Sequence, residues 1–169
     1  VAPEAGAAGA ACGAARSGAG FGAAAGFRGA LDGLLDGRRT PRHALVLGAG
    51  GAAKAAIAAL VTAGVAQISI ANRHLARAER LVAEVRKASP HLTVRAAPWH
   101  EGLLVEEAQI AGLVVHATTL GLNGGALPLP AAAFRAGQFV IDVVYAPGET
   151  ALVRTARAAG AEAIDGREM

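Results

Sequence analysis

The stretch Leu45-Val46-Leu47-Gly48-Ala49-Gly50-Gly51-Ala52-Ala53-Lys54-Ala55 constrains this chain more than any other. A short, wholly apolar run stops at a glycine, and a run of strong helix formers begins four residues later. Gly48, Gly50 and Ala53 fall at G-x-G-x-x-G/A spacing. In that pattern the first glycine makes a tight turn, and the second lets backbone approach a pyrophosphate. The third small residue lets a helix sit close to the preceding strand. The helix start then offers free N–H groups and the positive end of its dipole to phosphates. Ala44 to Val65 is apolar apart from Lys54, a length that could span a bilayer. Its glycines cluster mid-stretch and Gln67 follows, so it reads as strand, turn and helix, and no membrane span is expected.

The rest of the chain continues the alternation. Strands are expected at His43–Leu47, Gln67–Ala71, Thr93–Ala97, Leu113–Val115, Phe139–Val144 and Ala163–Ile164. Helices are expected at Ala52–Ala63, Leu75–Ala88, Leu103–Ala108 and Glu149–Ala159, with a helical turn at Ala131–Ala136. Strands alternating with helices imply βαβ units and a parallel sheet, and near-continuous apolar strands suit a sheet covered on both faces. The expected fold is α/β, a Rossmann-type doubly wound parallel sheet in a single domain over residues 43–169. Ahead of it, Phe27, Ala30, Leu31, Leu34 and Leu35 recur at helical spacing, which makes 27–42 a linking helix and linker. Residues 1–30 hold 13 alanines and 8 glycines. Such composition buries little apolar area, so 1–26 reads as a low-complexity tail.

The 45 alanines and 23 glycines, with only 4% aromatics, suit a core of thin, closely packed layers. The net charge of +3 is small and no block of like charges appears, which argues against nucleic acid and leaves room for an anionic small ligand. The lone Cys12 excludes an intramolecular disulfide and a Cys-rich zinc site, and fits a reducing, cytoplasmic compartment. His43, His74, His91, His100 and His116 show no metal-ligand spacing. His116 reads as an ordinary strand-end histidine, Trp99 as a surface aromatic and Glu106-Glu107 as a solvated face.

The end of the second strand bears on the choice of nucleotide. A site for NAD usually places Asp or Glu there to hold the ribose hydroxyls. Here the strand runs into Ala71-Asn72-Arg73-His74, with Arg77 one turn on and no carboxylate before Glu79. Guanidinium groups suit a 2′-phosphate, so the cofactor expected is NADP.

With these residues in place the sequence resembles the shikimate dehydrogenase family, in its C-terminal NADP-binding domain. Gly48-Ala49-Gly50-Gly51-Ala52 resembles that family's GAGGA loop, and Asn72-Arg73-His74 with Arg77 resembles its NRTxxR motif. Val115-His116-Ala117-Thr118-Thr119-Leu120-Gly121-Leu122 resembles NATPxGM, with His in place of Asn. Asp142-Val143-Val144-Tyr145-Ala146-Pro147 with Thr150 and Leu152 resembles DxxYxPxxTxLL, and Asp165-Gly166-Arg167-Glu168-Met169 resembles a closing DGxxM. The resemblance implies that Gly50, Gly51 and Ala52 contact the pyrophosphate. It implies that Asn72, Arg73, His74 and Arg77 surround the 2′-phosphate, and that Thr118 lies near the nicotinamide-side ribose. Val143, Gly166 and Met169 would border the nicotinamide, and Tyr145 would face the substrate.

The activity implied is reduction of 3-dehydroshikimate to shikimate by NADPH. Family members also carry a substrate domain with a proton-transferring Lys, for which no room is expected before residue 43. The positions aligned with the family's Asn-Thr-Asp are Phe21, Gly22 and Ala23. No catalytic residue is therefore assigned. A substrate-domain partner or a second copy is expected to complete the site. The competing expectation is a catalytically silent NADP-binding sensor or subunit.

Overall fold

The computed structural model describes residues 18–121 and 126–168. Six parallel strands form one sheet in the order β3-β2-β1-β4-β5-β6. They are β1 (His43–Leu47), β2 (Gln67–Ala71), β3 (Thr93–Ala97), β4 (Leu113–His116), β5 (Phe139–Asp142) and β6 (Glu162–Asp165). Five helices connect or flank them: α1 (Gly18–Leu35), α2 (Gly51–Thr62), α3 (Leu75–Ala88), α4 (Glu101–Ile110) and α5 (Ala151–Ala158). The doubly wound α/β architecture expected from the apolar pattern is the one observed.

Alternation along each strand builds two cores. Val46, Ile68, Ile70, Leu113, Val115 and Ile141 face one side, where α1, α2 and α3 supply Leu31, Ile57, Leu60, Leu81 and Val82. Leu45, Leu47, Ala71, Val114 and Val140 face the other, against Leu104 and Ala108 of α4 and Leu152, Val153 and Ala156 of α5. Every residue of β4 and β5 is buried, as strands with both faces covered must be. The long apolar stretch from Ala44 to Val65 divides at the glycines into β1 and α2. Among the described residues no helix is long and apolar enough to cross a membrane.

The main departure lies at the N-terminal end. α1 begins at Gly18, whereas the apolar spacing marks a start only at Phe27. Alanine is the best helix former, so a run such as Ala23-Ala24-Ala25 extends a helix without any apolar periodicity. α1 packs on α2, and Phe27, Ala30, Leu31 and Leu35 are buried in the same core as Ala53 and Ala56. The part of the expected tail over residues 1–17 lies outside the described residues.

Smaller differences have local causes. The turn expected to reach Ala136 is a single 3-10 turn, Ala131–Ala133, because the backbone is already extended at Phe134. β5 ends at Asp142 instead of Val144. α5 starts at Ala151 because Thr150 caps it, its Oγ1 accepting from the Val153 amide at 3.2 Å.

Candidate functional site

In the strand order, β1 lies between β2 and β4, so the chain leaves the sheet centre in opposite directions. That reversal opens a crevice beyond the carboxyl ends of β1 and β4. The loops that form it are tied to one another. The Gly48 amide donates to the Ala71 carbonyl at 2.7 Å, and the Ala117 amide donates to the Leu47 carbonyl at 2.7 Å. Gly48 has φ +120°, and a Cβ there would run into the Ala117 carbonyl. This glycine is required by the chain's own backbone.

Gly50 and Gly51 differ. Gly50 is the N-cap of α2 in extended conformation (φ −94°, ψ −166°), and nothing lies within 4 Å of a Cβ built on either residue. No side chain caps the helix and its first turn holds no acid. The N–H groups of Gly51, Ala52 and Ala53 therefore have no partner within the helix. Ala53 is fully buried and acts by letting α2 close on β1, while Gly51 and Ala52 are exposed. An anion placed here would meet open space, free donors and a helix dipole.

At the end of β2, the Asn72 side chain donates from Nδ2 to the His74 carbonyl at 3.0 Å and shapes the turn into α3. Arg73, His74 and Arg77 are exposed around it. Among the described residues neither Arg73 nor Arg77 makes an ion pair, unlike Lys54, which pairs with Glu84 at 2.7 Å. Two unspent guanidiniums thus stand one loop away from the uncapped helix.

The ends of β4 and β5 hold a feature that the motif reading passed over. Their register sets His116 opposite Asp142. His116 Nδ1 lies 2.8 Å from Asp142 Oδ1, and His116 Nε2 lies 2.6 Å from Thr118 Oγ1. The Leu120 amide donates to Thr118 Oγ1 at 3.1 Å, and the Val144 amide donates to Asp142 Oδ1 at 3.1 Å. His116 and Asp142 are almost fully buried, and Thr118 is half-buried at the crevice. A polar residue closing each of two apolar four-residue strands was the available signal.

On the β5–β6 side, Val143, Tyr145 and Gly166 come together. A Cβ on Gly166 would stand 3.0 Å from the Val143 carbonyl and 3.1 Å from Tyr145 Cδ2. Tyr145 is 69% exposed, so its ring is open to solvent on this side. The turn after β6 is held by Asp165, whose carboxylate accepts from the Arg167 guanidinium at 2.8 Å and from the Arg167 amide at 3.1 Å. The guanidinium hydrogen bond holds the Asp165 carboxyl below the usual carboxylate range. Met169 lies outside the described residues. Trp99 is half-buried and packs with Leu127 against the α4 core, so it is not a free surface aromatic. No cluster of potential metal ligands occurs among the described residues.

Comparison with known proteins agrees with this geometry. The family model for shikimate / quinate 5-dehydrogenase matches residues 35–100. The shikimate dehydrogenase (NADP(+)) of Anaeromyxobacter sp. (strain Fw109-5) is 48% identical over 128 residues, covering 75% of this chain and 44% of that protein. Quinate dehydrogenase from Corynebacterium glutamicum, solved in complex with NAD, superposes with a TM-score of 0.78 at 30% identity, over 86% of this chain and 51% of that one. Shikimate 5-dehydrogenase from Listeria monocytogenes, in complex with shikimate and NAD, gives 0.76 at 28% identity, over 86% and 52%. The chain spans about 44% of the length of such curated relatives. By sequence and by fold, the part of the chain that carries the six-stranded parallel sheet is similar to the shikimate and quinate dehydrogenases.

Proposed function

We propose that this chain binds NADP(H) across the crevice and serves as the cofactor half of an oxidoreductase that interconverts 3-dehydroshikimate and shikimate. The observation that carries the reading is the uncapped start of α2 behind Gly50 and Gly51, with Arg73 and Arg77 unpaired beside it. Gly48, Gly50, Gly51, Ala52 and Ala53 form the pyrophosphate cradle, with Gly48 and Ala53 shaping it and the others facing the ligand. Asn72, Arg73, His74 and Arg77 take the adenosine 2′-phosphate. The guanidiniums supply charge, and Asn72 holds the turn that presents them. Thr118 lies on the path to the nicotinamide-side ribose. Val143 and Gly166 border the nicotinamide, and Tyr145 faces the substrate.

When bound, the dinucleotide supplies the hydride. What this chain adds is orientation. The glycine loop fixes the pyrophosphate, and the β4, β5 and β6 loops set the wall beyond it. A second wall for substrate comes from a substrate-domain partner or a second copy. The lone Cys12 supports a cytoplasmic setting.

Fluorescence titration with NADPH and NADH in parallel tests the reading. The expected result is micromolar binding of NADPH, at least tenfold tighter than NADH, a gap of about 1.4 kcal/mol. Failure to bind either nucleotide overturns it. A second reading, a catalytically silent NADP-binding module, is favoured by the way His116, Asp142 and Thr118 spend their polar groups on one another. Assaying NADP-dependent oxidation of shikimate by this chain separates the two. The expected turnover is negligible for the chain alone, and appears on adding a substrate domain only if the first reading holds.

A further inference from the structure

The polar chain at the floor of the crevice has a defined direction. Asp142 Oδ1 sits 2.8 Å from His116 Nδ1 and also accepts the Val144 amide. A carboxylate oxygen at that distance excludes a bare lone pair on Nδ1, so the tautomer that the geometry points to carries its proton on Nδ1. Nε2 is then an acceptor, and the group 2.6 Å from it is the Thr118 hydroxyl. The single hydroxyl proton of Thr118 is thereby committed to His116. One oxygen lone pair is already used by the Leu120 amide. What remains on Thr118 is one lone pair.

Thr118 Cγ2 lies 3.4 Å from where a Cβ on Gly48 would stand, so Thr118 flanks the turn where the crevice begins. We propose that Asp142 and His116 are positioning residues that lock the Thr118 hydroxyl as a hydrogen-bond acceptor. Thr118 then selects a hydroxyl or amide N–H donor of the nucleotide at the β4 end of the crevice. This rests on the nucleotide-binding reading and adds a polarity to it. A ligand presenting only acceptors at this point meets lone pair against lone pair, which costs it a hydrogen bond.

Two measurements on the full chain test this. The first is a two-bond proton–nitrogen NMR spectrum of the chain with labelled histidine at neutral pH. One of the five histidines should show the neutral ring protonated on Nδ1. That signal should vanish in His116→Asn, which leaves Asp142 an amide donor. A spectrum in which none of the five rings is protonated on Nδ1 alone overturns the proposal without any variant having to fold.

The second is NADPH binding by Thr118→Val, Thr118→Ser, His116→Asn and the double variant His116→Asn with Thr118→Val. Thr118→Val should weaken binding roughly three- to tenfold, the worth of one hydrogen bond, while Thr118→Ser retains it. His116→Asn should weaken it too, and the double variant should bind no worse than Thr118→Val, since both changes act through one hydroxyl. Thr118→Val that binds like the unmutated chain, or additive losses in the double variant, overturns this inference alone. An unmutated chain that binds no nucleotide overturns the functional reading, and the donor selection falls with it.

Discussion

At the scale of single residues, two glycines written with the same letter do different work. Gly48 holds φ +120° and has no room for a Cβ beside Ala117. Gly48→Ala should therefore destabilise the fold by about 1–3 kcal/mol, read as a lowered urea midpoint. Gly50 has ordinary backbone angles and open space. Gly50→Ala should cost no more than about 1 kcal/mol, the difference between Gly and Ala at an N-cap. It should nevertheless lower NADPH affinity tenfold or more, because its methyl would occupy the place of the pyrophosphate. Equal loss of stability in both variants would mean that the loop is only a turn. The G-x-G-x-x-A spacing made both residues legible as a site from the sequence. It could not separate the glycine the chain's own backbone needs from the one left with open space, because that depends on where Ala117 lands.

At the scale of elements, the apolar pattern located β1, β2, β3 and α3 to the residue, since strong alternation or amphipathic spacing leaves little freedom. It missed the first nine residues of α1, where small side chains carry no periodicity and packing on α2 decides. Leu31 lies at the centre of that contact and is fully buried. Leu31→Ala should cost about 2–5 kcal/mol, measurable by chemical denaturation. A cost well under 1 kcal/mol would show α1 to be loosely docked. The turn after β6 responds to pH instead. The Arg167 guanidinium, against the opposing effect of burial, lowers the Asp165 carboxyl below its ordinary value. The unfolded chain therefore binds that proton more readily than the folded one. The stabilisation is complete above the usual carboxylate pKa of about 4 and fades as pH falls below that value towards the lower folded one. Comparing urea midpoints of the unmutated chain and Asp165→Asn, the difference at pH 6 should shrink steadily towards pH 3. A constant difference would assign Asp165 a purely steric role.

At the scale of the whole molecule, the crevice is assembled from loops that the sequence holds far apart. Gly50 and Arg73 could be joined by reasoning along the chain, because β1, α2 and β2 form one βαβ unit whose two strand ends have set positions in the glycine motif. The His116–Asp142 pair could not, since it requires β4 and β5 to be neighbours in one register out of several, fixed by packing on both faces. The same spread has a thermodynamic consequence. A nucleotide spanning the crevice would bind only when the β1, β2, β4 and β5 ends are folded together, so its binding free energy adds to the stability of the whole sheet. At a free NADPH concentration one hundred times the dissociation constant, the gain is about 2.7 kcal/mol. For a chain of this size that raises the melting temperature by roughly 5–10 °C. NADH at the same concentration should give a markedly smaller shift, because it has no 2′-phosphate for Arg73 and Arg77 to hold. Raising the ionic strength should narrow the gap between the two nucleotides, since both arginines are exposed and their field is screened. Equal shifts with NADPH and NADH at low salt would remove the arginines from the site, even if the glycine loop binds.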